Sequence, residues 1–176
     1  MIETPRLILR QYREADRAAF RAMVADPEVM HDYGAPMGQD EADAFFERRR
    51  AQIETDRFGK WAVERRSDGV FLGFVGVSLV YPGLPIAPGL EIGWRLARAA
   101  WGFGYAAEAA RASMTDTFER TGATEILSFT QPHNDRSLAV MRRLGFRRDA
   151  ARDFTYETGL PAVLYAMAKS NWVSAV

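Results

Sequence analysis

The sequence has no cysteine, and its only histidines are His31 and His133. The missing thiols exclude a disulfide framework, thiol catalysis, a Cys-based zinc site and a Cys-ligated iron–sulfur cluster. Two histidines do not build a multi-histidine centre, so no metal is expected. Also absent is any run of the roughly 20 apolar residues that a spanning helix needs. The opening Met1-Ile2-Glu3-Thr4-Pro5 carries no signal-peptide core. A membrane partner is therefore not expected, and the cytoplasm is the expected location. Charge of one sign is lacking as well: 23 Lys+Arg balance 23 Asp+Glu, which argues against a nucleic-acid groove. What is present is 176 residues, 48% hydrophobic and 26% charged. That is the size of one domain, 1–176, with a real core. Its chemistry must come from backbone groups, carboxylates and hydroxyls.

The hydrophobic pattern changes period along the chain. Residues 6–12 alternate after Pro5 and read as a strand, and 14–25 read as a helix ended by Asp26-Pro27. A second helix runs from about Gln39 to Asp56, with acidic residues in its first turns and Arg48, Arg49 and Arg50 behind them as a solvated face. Strands follow at 61–65 and 70–80, joined by a Ser67-Asp68-Gly69 turn, then at 90–96 after a Pro- and Gly-rich loop. An Ala-rich helix spans about 102–120, with a strand at 125–130 and a short helix at 135–144 after it. Segments 147–156 and 162–169 read as the last two strands. This order predicts a mixed α/β (α+β) sheet without regular βαβ alternation.

The most informative segment is Trp101-Gly102-Phe103-Gly104-Tyr105-Ala106-Ala107-Glu108, between a strand and the long helix. Glycines let the backbone approach a ligand, and the free amides of a helix's first turn carry the positive end of its dipole. The segment reads either as a phosphate site or as a turn. It contains no P-loop string. Gly102-x-Gly104-x-x-Ala107 fits a dinucleotide fingerprint, but Glu125 opens its strand instead of closing it, and no βαβ series follows. A Gly-x-Ser-x-Gly elbow is missing too, which argues against an α/β-hydrolase.

Three strings in order resemble the GCN5-related N-acetyltransferase (GNAT) family, of the ribosomal-protein-alanine acetyltransferase (RimJ/RimL-like) type. They are Arg6-Leu7-Ile8-Leu9-Arg10, the run 101–109, and Asn134, Ser137, Leu144, Gly145 and Phe146. The resemblance covers nearly the whole chain. It implies a mostly antiparallel central sheet with one splayed parallel strand pair, flanked by helices. It also implies acetyl-CoA as co-substrate, held by backbone groups near Trp94, Leu96 and Ala97, and by Trp101, Gly102, Phe103, Gly104, Tyr105, Ala106 and Ala107. Phe103 departs from the subgroup, which often has a basic residue there, so the backbone must do more.

An amine protonated near pH 7 must lose a proton before it attacks. By the same resemblance Glu91 is the candidate base, although it could equally be an outward strand glutamate or an ion-pair partner of an arginine. Ser137 is the candidate acid for the departing thiolate and a cofactor contact, or a helix serine bonded locally. Asn134 is a pantetheine ligand, a helix N-cap, or both. His31 and Tyr33 are placed on the acceptor side with Trp61, for which core packing is the stronger single explanation. The His31-Asp32-Tyr33-Gly34 and Tyr81–Pro88 loops wall that side, with Phe154 as a further aromatic. His133 reads as a solvent-facing loop residue or as part of a proton relay. The expected activity is transfer of an acetyl group to a primary amine, of a protein N-terminus or a small molecule. A non-catalytic acyl-CoA-binding module is the alternative, and a homodimer is left open.

Overall fold

The computed structural model describes residues 1–173. In chain order the elements are β1 (Ile2–Glu3), β2 (Leu7–Arg10), α1 (Arg17–Val24), α2 (Gln39–Asp56), β3 (Lys60–Arg65), β4 (Phe71–Leu79) and β5 (Leu90–Leu96). Then come α3 (Tyr105–Arg120), β6 (Glu125–Thr130), α4 (Asp135–Arg143), β7 (Arg147–Arg148), β8 (Phe154–Thr155), β9 (Pro161–Ala168) and α5 (Lys169–Val173). The sheet order is β1-β2-β3-β4-β5-β6-β9-β7, with β8 also on β9. Every pairing is antiparallel except β5–β6.

Alternation decides which side chains meet which helices. Phe74 of β4 lies 6.1 Å from the Phe20 ring of α1 and 5.8 Å from the Phe45 ring of α2. Phe20 also meets Phe46 edge-on at 5.3 Å. Each such ring, fully buried, contributes about 1.5–3 kcal/mol. The opposite face carries α3, whose Ala109, Ala110, Ser113, Met114, Thr117 and Phe118 are buried as one stripe. The β2 end is fixed by Arg10, whose guanidinium grips Asp16 bidentately at 2.7 and 2.8 Å and Glu64 at 2.7 Å. Asp16 accepts the Arg13 N–H as well, which starts the short 3-10 turn Glu14–Asp16 ahead of α1.

Four local readings change. The long helix begins at Tyr105, not near Gly102, because Gly102 and Gly104 have φ of +83° and +80° and so cannot continue it. Segment 147–156 is not one strand. Arg148 pairs with Asp153, whose carboxylate also accepts the Leu164 N–H at 2.9 Å, so the chain bulges through a 3-10 turn at Ala150–Arg152 between β7 and β8. Strand β1 and helix α5, two and five residues long, show no period to read. Finally, Arg49 is not on a solvated face: its guanidinium lies 4.8 Å over the Phe45 ring and 5.6 Å over Phe74, against the sheet.

Candidate active site

Strands β5 and β6 share a single residue pair in register, Glu91 with Leu127. Antiparallel pairing with β4 explains what happens beyond it. The Ala97 N–H bonds the Leu72 carbonyl at 2.8 Å, so by alternation Arg95 and Gly93 also turn their backbone groups to β4. Ile92, Trp94 and Leu96 turn theirs toward β6, and Ser128 Oγ donates to the Ile92 carbonyl at 3.2 Å. Past Ile92 the strands part. The Trp94 N–H and C=O and the Leu96 N–H are left without a strand partner, while the Leu96 carbonyl accepts from Trp101 Nε1 at 2.8 Å. The expected role of Ala97 changes accordingly, because its N–H is already engaged within the sheet.

A cavity of about 320 Å³ opens at this gap. It is lined by Trp94, Leu96, Trp101, Gly102, Gly104, Tyr105, Ala106, Ala107, Asn134, Ser137 and His31 among the expected residues. Its floor is the start of α3, where Gly104 stands at the N-cap position and no side chain caps the helix. Among the described residues the first-turn amides therefore have no capping side chain, and they lie along the cavity lining, an arrangement that suits an anion. Phe103 is not in the lining; it is 56% exposed and stacks on Tyr105 at 5.6 Å. The cations come instead from other elements. A Cβ placed on Gly104 would lie 3.7 Å from both Arg143 Nη1 and Arg6 Nη2, and Arg136 lies 4.0 Å over the Trp101 ring. Arg6 also donates to the Phe103 carbonyl at 3.0 Å and to Glu108 Oε2 at 2.6 Å, which ties the loop to β2. Burial pushes the Glu108 carboxyl up, but hydrogen bonds from Thr4 and Arg6 outweigh this and hold it below the ordinary glutamate range.

The family model for the acetyltransferase (GNAT) domain matches residues 6–147. The chain belongs to the GNAT acetyltransferase family. An acetyltransferase from Agrobacterium tumefaciens superposes with a TM-score of 0.81 at 27% identity, over 96% of this chain and 94% of its own. YoaA of Bacillus subtilis, described as an uncharacterized N-acetyltransferase, is 26% identical over 92% of this chain and 91% of its own. RimL, a ribosomal L7/L12 alpha-N-protein acetyltransferase solved with coenzyme A, shares the fold with a TM-score of 0.75 at 18% identity, over 96% of this chain and 97% of its own. GNAT enzymes use acetyl-CoA, so this chain is an acetyl-CoA-dependent acetyltransferase with the fold its sequence implied.

In this GNAT chain the other expected residues fall in three places. Asn134 caps α4 by accepting the Ser137 N–H at 3.1 Å, and its amide also donates to Thr130 Oγ1 at 3.0 Å and Asp32 Oδ2 at 3.2 Å. The Ser137 hydroxyl has no hydrogen-bond partner among the described residues. His31 is exposed at the cavity edge with Nδ1 2.9 Å from the Glu28 carbonyl oxygen. Glu91 lies outside the cavity lining, on the α1/α2 face of β5. There it accepts from Ser78 Oγ at 2.8 Å and meets Lys60 Nζ at 2.8 Å, so its partner is a lysine and not an arginine. Tyr33 is exposed, stacked at 6.3 Å on Phe45, and Arg95 lies 5.2 Å over its ring. Trp61 is 7% exposed and pairs with Val75; alternation puts it on the face opposite Phe74, where it packs in the core away from the cavity. Phe154 is buried against Phe129 and Tyr156.

Sequence reading missed Arg95, Arg136 and Arg143. Arg95 braces the loop after α1 by donating to the Val29 carbonyl and to Asp32 Oδ1, the latter at 2.9 Å. The one sequence signal for this is strand alternation, which puts Arg95 on the same face as Glu91. Tyr156 was missed too: its phenol is pushed up to about 12, by burial first and then by the charges of Glu91 and Asp32.

Proposed function

We propose that the chain transfers the acetyl group of acetyl-CoA directly to a primary amine, of a protein N-terminus or a small molecule, in a ternary complex. The observation that carries this reading is the one-pair contact between β5 and β6, which leaves an open backbone edge at Trp94 and Leu96 running into the α3 amides. On this reading the pantetheine arm pairs with the Trp94 and Leu96 groups as an added strand. The pyrophosphate sits on the amides from Phe103 to Ala107, with Arg6 and Arg143 alongside. A strand amide at the head of the gap polarises the thioester carbonyl. Glu91 accepts the proton released from the ammonium, directly or through water, and the amine lone pair attacks the carbonyl carbon. The C–S bond then breaks, the Ser137 hydroxyl, unengaged among the described residues, protonates the thiolate, and the proton shed by the new amide nitrogen restores that hydroxyl through water.

Titration calorimetry with acetyl-CoA and with NAD tests the cofactor: heat of binding is expected for acetyl-CoA alone, and no binding at millimolar acetyl-CoA would sink the proposal. Thiol release over a panel of N-terminal peptides, amino acids, polyamines and aminoglycosides then identifies the amine. Tight acetyl-CoA binding with no turnover across that panel would point to a non-catalytic module.

A further inference from the structure

Lys60 is 4% exposed, yet among the described residues its ammonium meets one carboxylate. Nζ lies 2.8 Å from Glu91 Oε1 without the direction of a good hydrogen bond, and no other acceptor among the described residues reaches it. The strands are shaped around this contact. Lys60, Gly76 and Gly93 form one cross-strand row over β3, β4 and β5. A Cβ on Gly93 would lie 2.8 Å from Lys60 Nζ, and a Cβ on Gly76 would collide with the Gly59 carbonyl oxygen at 1.8 Å. Gly93 therefore leaves room for the lysine ammonium, and Gly76 for the close approach of the backbone that carries it. The same Gly93 position lies 3.5 Å from Glu91 Oε2, so the carboxylate leans along β5 toward the end where the strands part. Ser78 fixes Oε1 from the other side.

From this row we infer that Lys60 is a positioning residue for the proton-accepting step: it holds Glu91 Oε1, so that Oε2 is free to take the proton of the acceptor ammonium. This rests on the proposed role of Glu91. The step is a simple transfer: the N–H bond of the ammonium breaks, its electron pair becomes the attacking lone pair, and the proton goes to Oε2. Other charged or titratable groups surround the pair. Arg49 faces it from α2, Tyr156 from the segment after β8, and Asp32, Tyr33 and Arg95 line the same side. The Tyr12 hydroxyl donates to the Lys60 carbonyl at 2.7 Å and anchors its backbone. Burial pushes the ammonium below the ordinary lysine range, and the Glu91 carboxylate opposes this without outweighing it.

The test is the pH profile of kcat/KM for the best-used amine of the panel above, together with the acetyl-CoA Kd by calorimetry. In Lys60→Met the acidic limb is expected to move up by about one pH unit, a tenfold loss below its midpoint, because a carboxylate without its cation protonates sooner. The acetyl-CoA Kd should stay within about twofold, since Lys60 does not line the cavity. Gly93→Ala keeps both ionisable groups but drives a methyl into Nζ; it should move the limb in the same direction and serves if Lys60→Met does not fold. A uniform loss of rate with the limb unmoved in both variants would make Lys60 a packing residue and overturn the inference. Glu91→Gln separates the two ideas. If the limb survives there, the Glu91 reading itself fails. If it vanishes there but stays in place without Lys60, only the present inference falls.

Discussion

Asn134 Nδ2 donates to Asp32 Oδ2 at 3.2 Å, joining the N-cap of α4 to the loop after α1 across the cavity wall. Asn134 is 6% exposed, and the same amide group bonds Thr130 while its oxygen caps the helix. One side chain thus fixes three segments. Asn134→Ala removes the cap and both donated bonds, and should destabilise the fold by about 1–3 kcal/mol in chemical denaturation. Asn134→Asp keeps a cap acceptor but sets a carboxylate against Asp32. It should still be less stable than the parent, and adding Asp32→Asn should recover most of the loss; no recovery would mean the contact carries little energy.

Gly104 sits at φ +80° with Arg143 and Arg6 about its missing Cβ. Gly104→Glu forces a side chain into a left-handed conformation, at about 1–3 kcal/mol. It also brings a carboxylate to the guanidiniums and the free α3 amides. Acetyl-CoA affinity should fall at least tenfold by calorimetry. Unchanged affinity would count against the α3 cradle as the phosphate site.

Ser137 offers a clean separation of chemistry from folding. Its hydroxyl has no partner among the described residues, so Ser137→Ala should alter stability by less than about 0.5 kcal/mol. If the hydroxyl protonates the thiolate, kcat should drop about a hundredfold with little change in acetyl-CoA affinity. Wild-type kcat would remove Ser137 from the mechanism.

Glu108 links stability to pH. Its side chain is 16% exposed and accepts from Thr4 Oγ1 at 2.6 Å and from the Arg6 N–H at 3.0 Å. Its folded carboxyl titrates below the unfolded one. The stabilisation is therefore complete above the ordinary glutamate value of about 4.3 and disappears as pH falls through the lower folded value. Glu108→Gln should cost about 1–2 kcal/mol at pH 7. Thermal melts of the two proteins should converge as the pH approaches 3; a gap that stays constant would refute the linkage.

Helix α2 at Gln39–Asp56 was legible because it is long and buries one face, and strands β5 at Leu90–Leu96 and β6 at Glu125–Thr130 because each is a short apolar-rich run between turn or helix signals. The 147–156 segment was not, because Arg148, Asp149 and Asp153 bind β9 and bend the chain, a long-range effect that no local pattern carries. In the site, Gly102, Gly104, Asn134 and Ser137 announced themselves by motif. Arg6 appeared only as part of the opening strand string and not as a cavity cation, and Arg143 and Lys60 carried no signal, since an isolated basic residue looks the same on a solvated face as in a buried contact.

By itself the sequence excluded thiol, disulfide and Cys-metal chemistry, predicted a mixed sheet, and located the glycine turn that starts α3. Those properties follow from residue type and near-neighbour spacing. Only the tertiary structure decided that β5 and β6 meet at one residue pair, that the cations near Gly104 come from β2's approach and α4, and that Lys60 crosses beneath Gly93 to Glu91. Each of these depends on strand register, and register is set by which faces the distant helices bury.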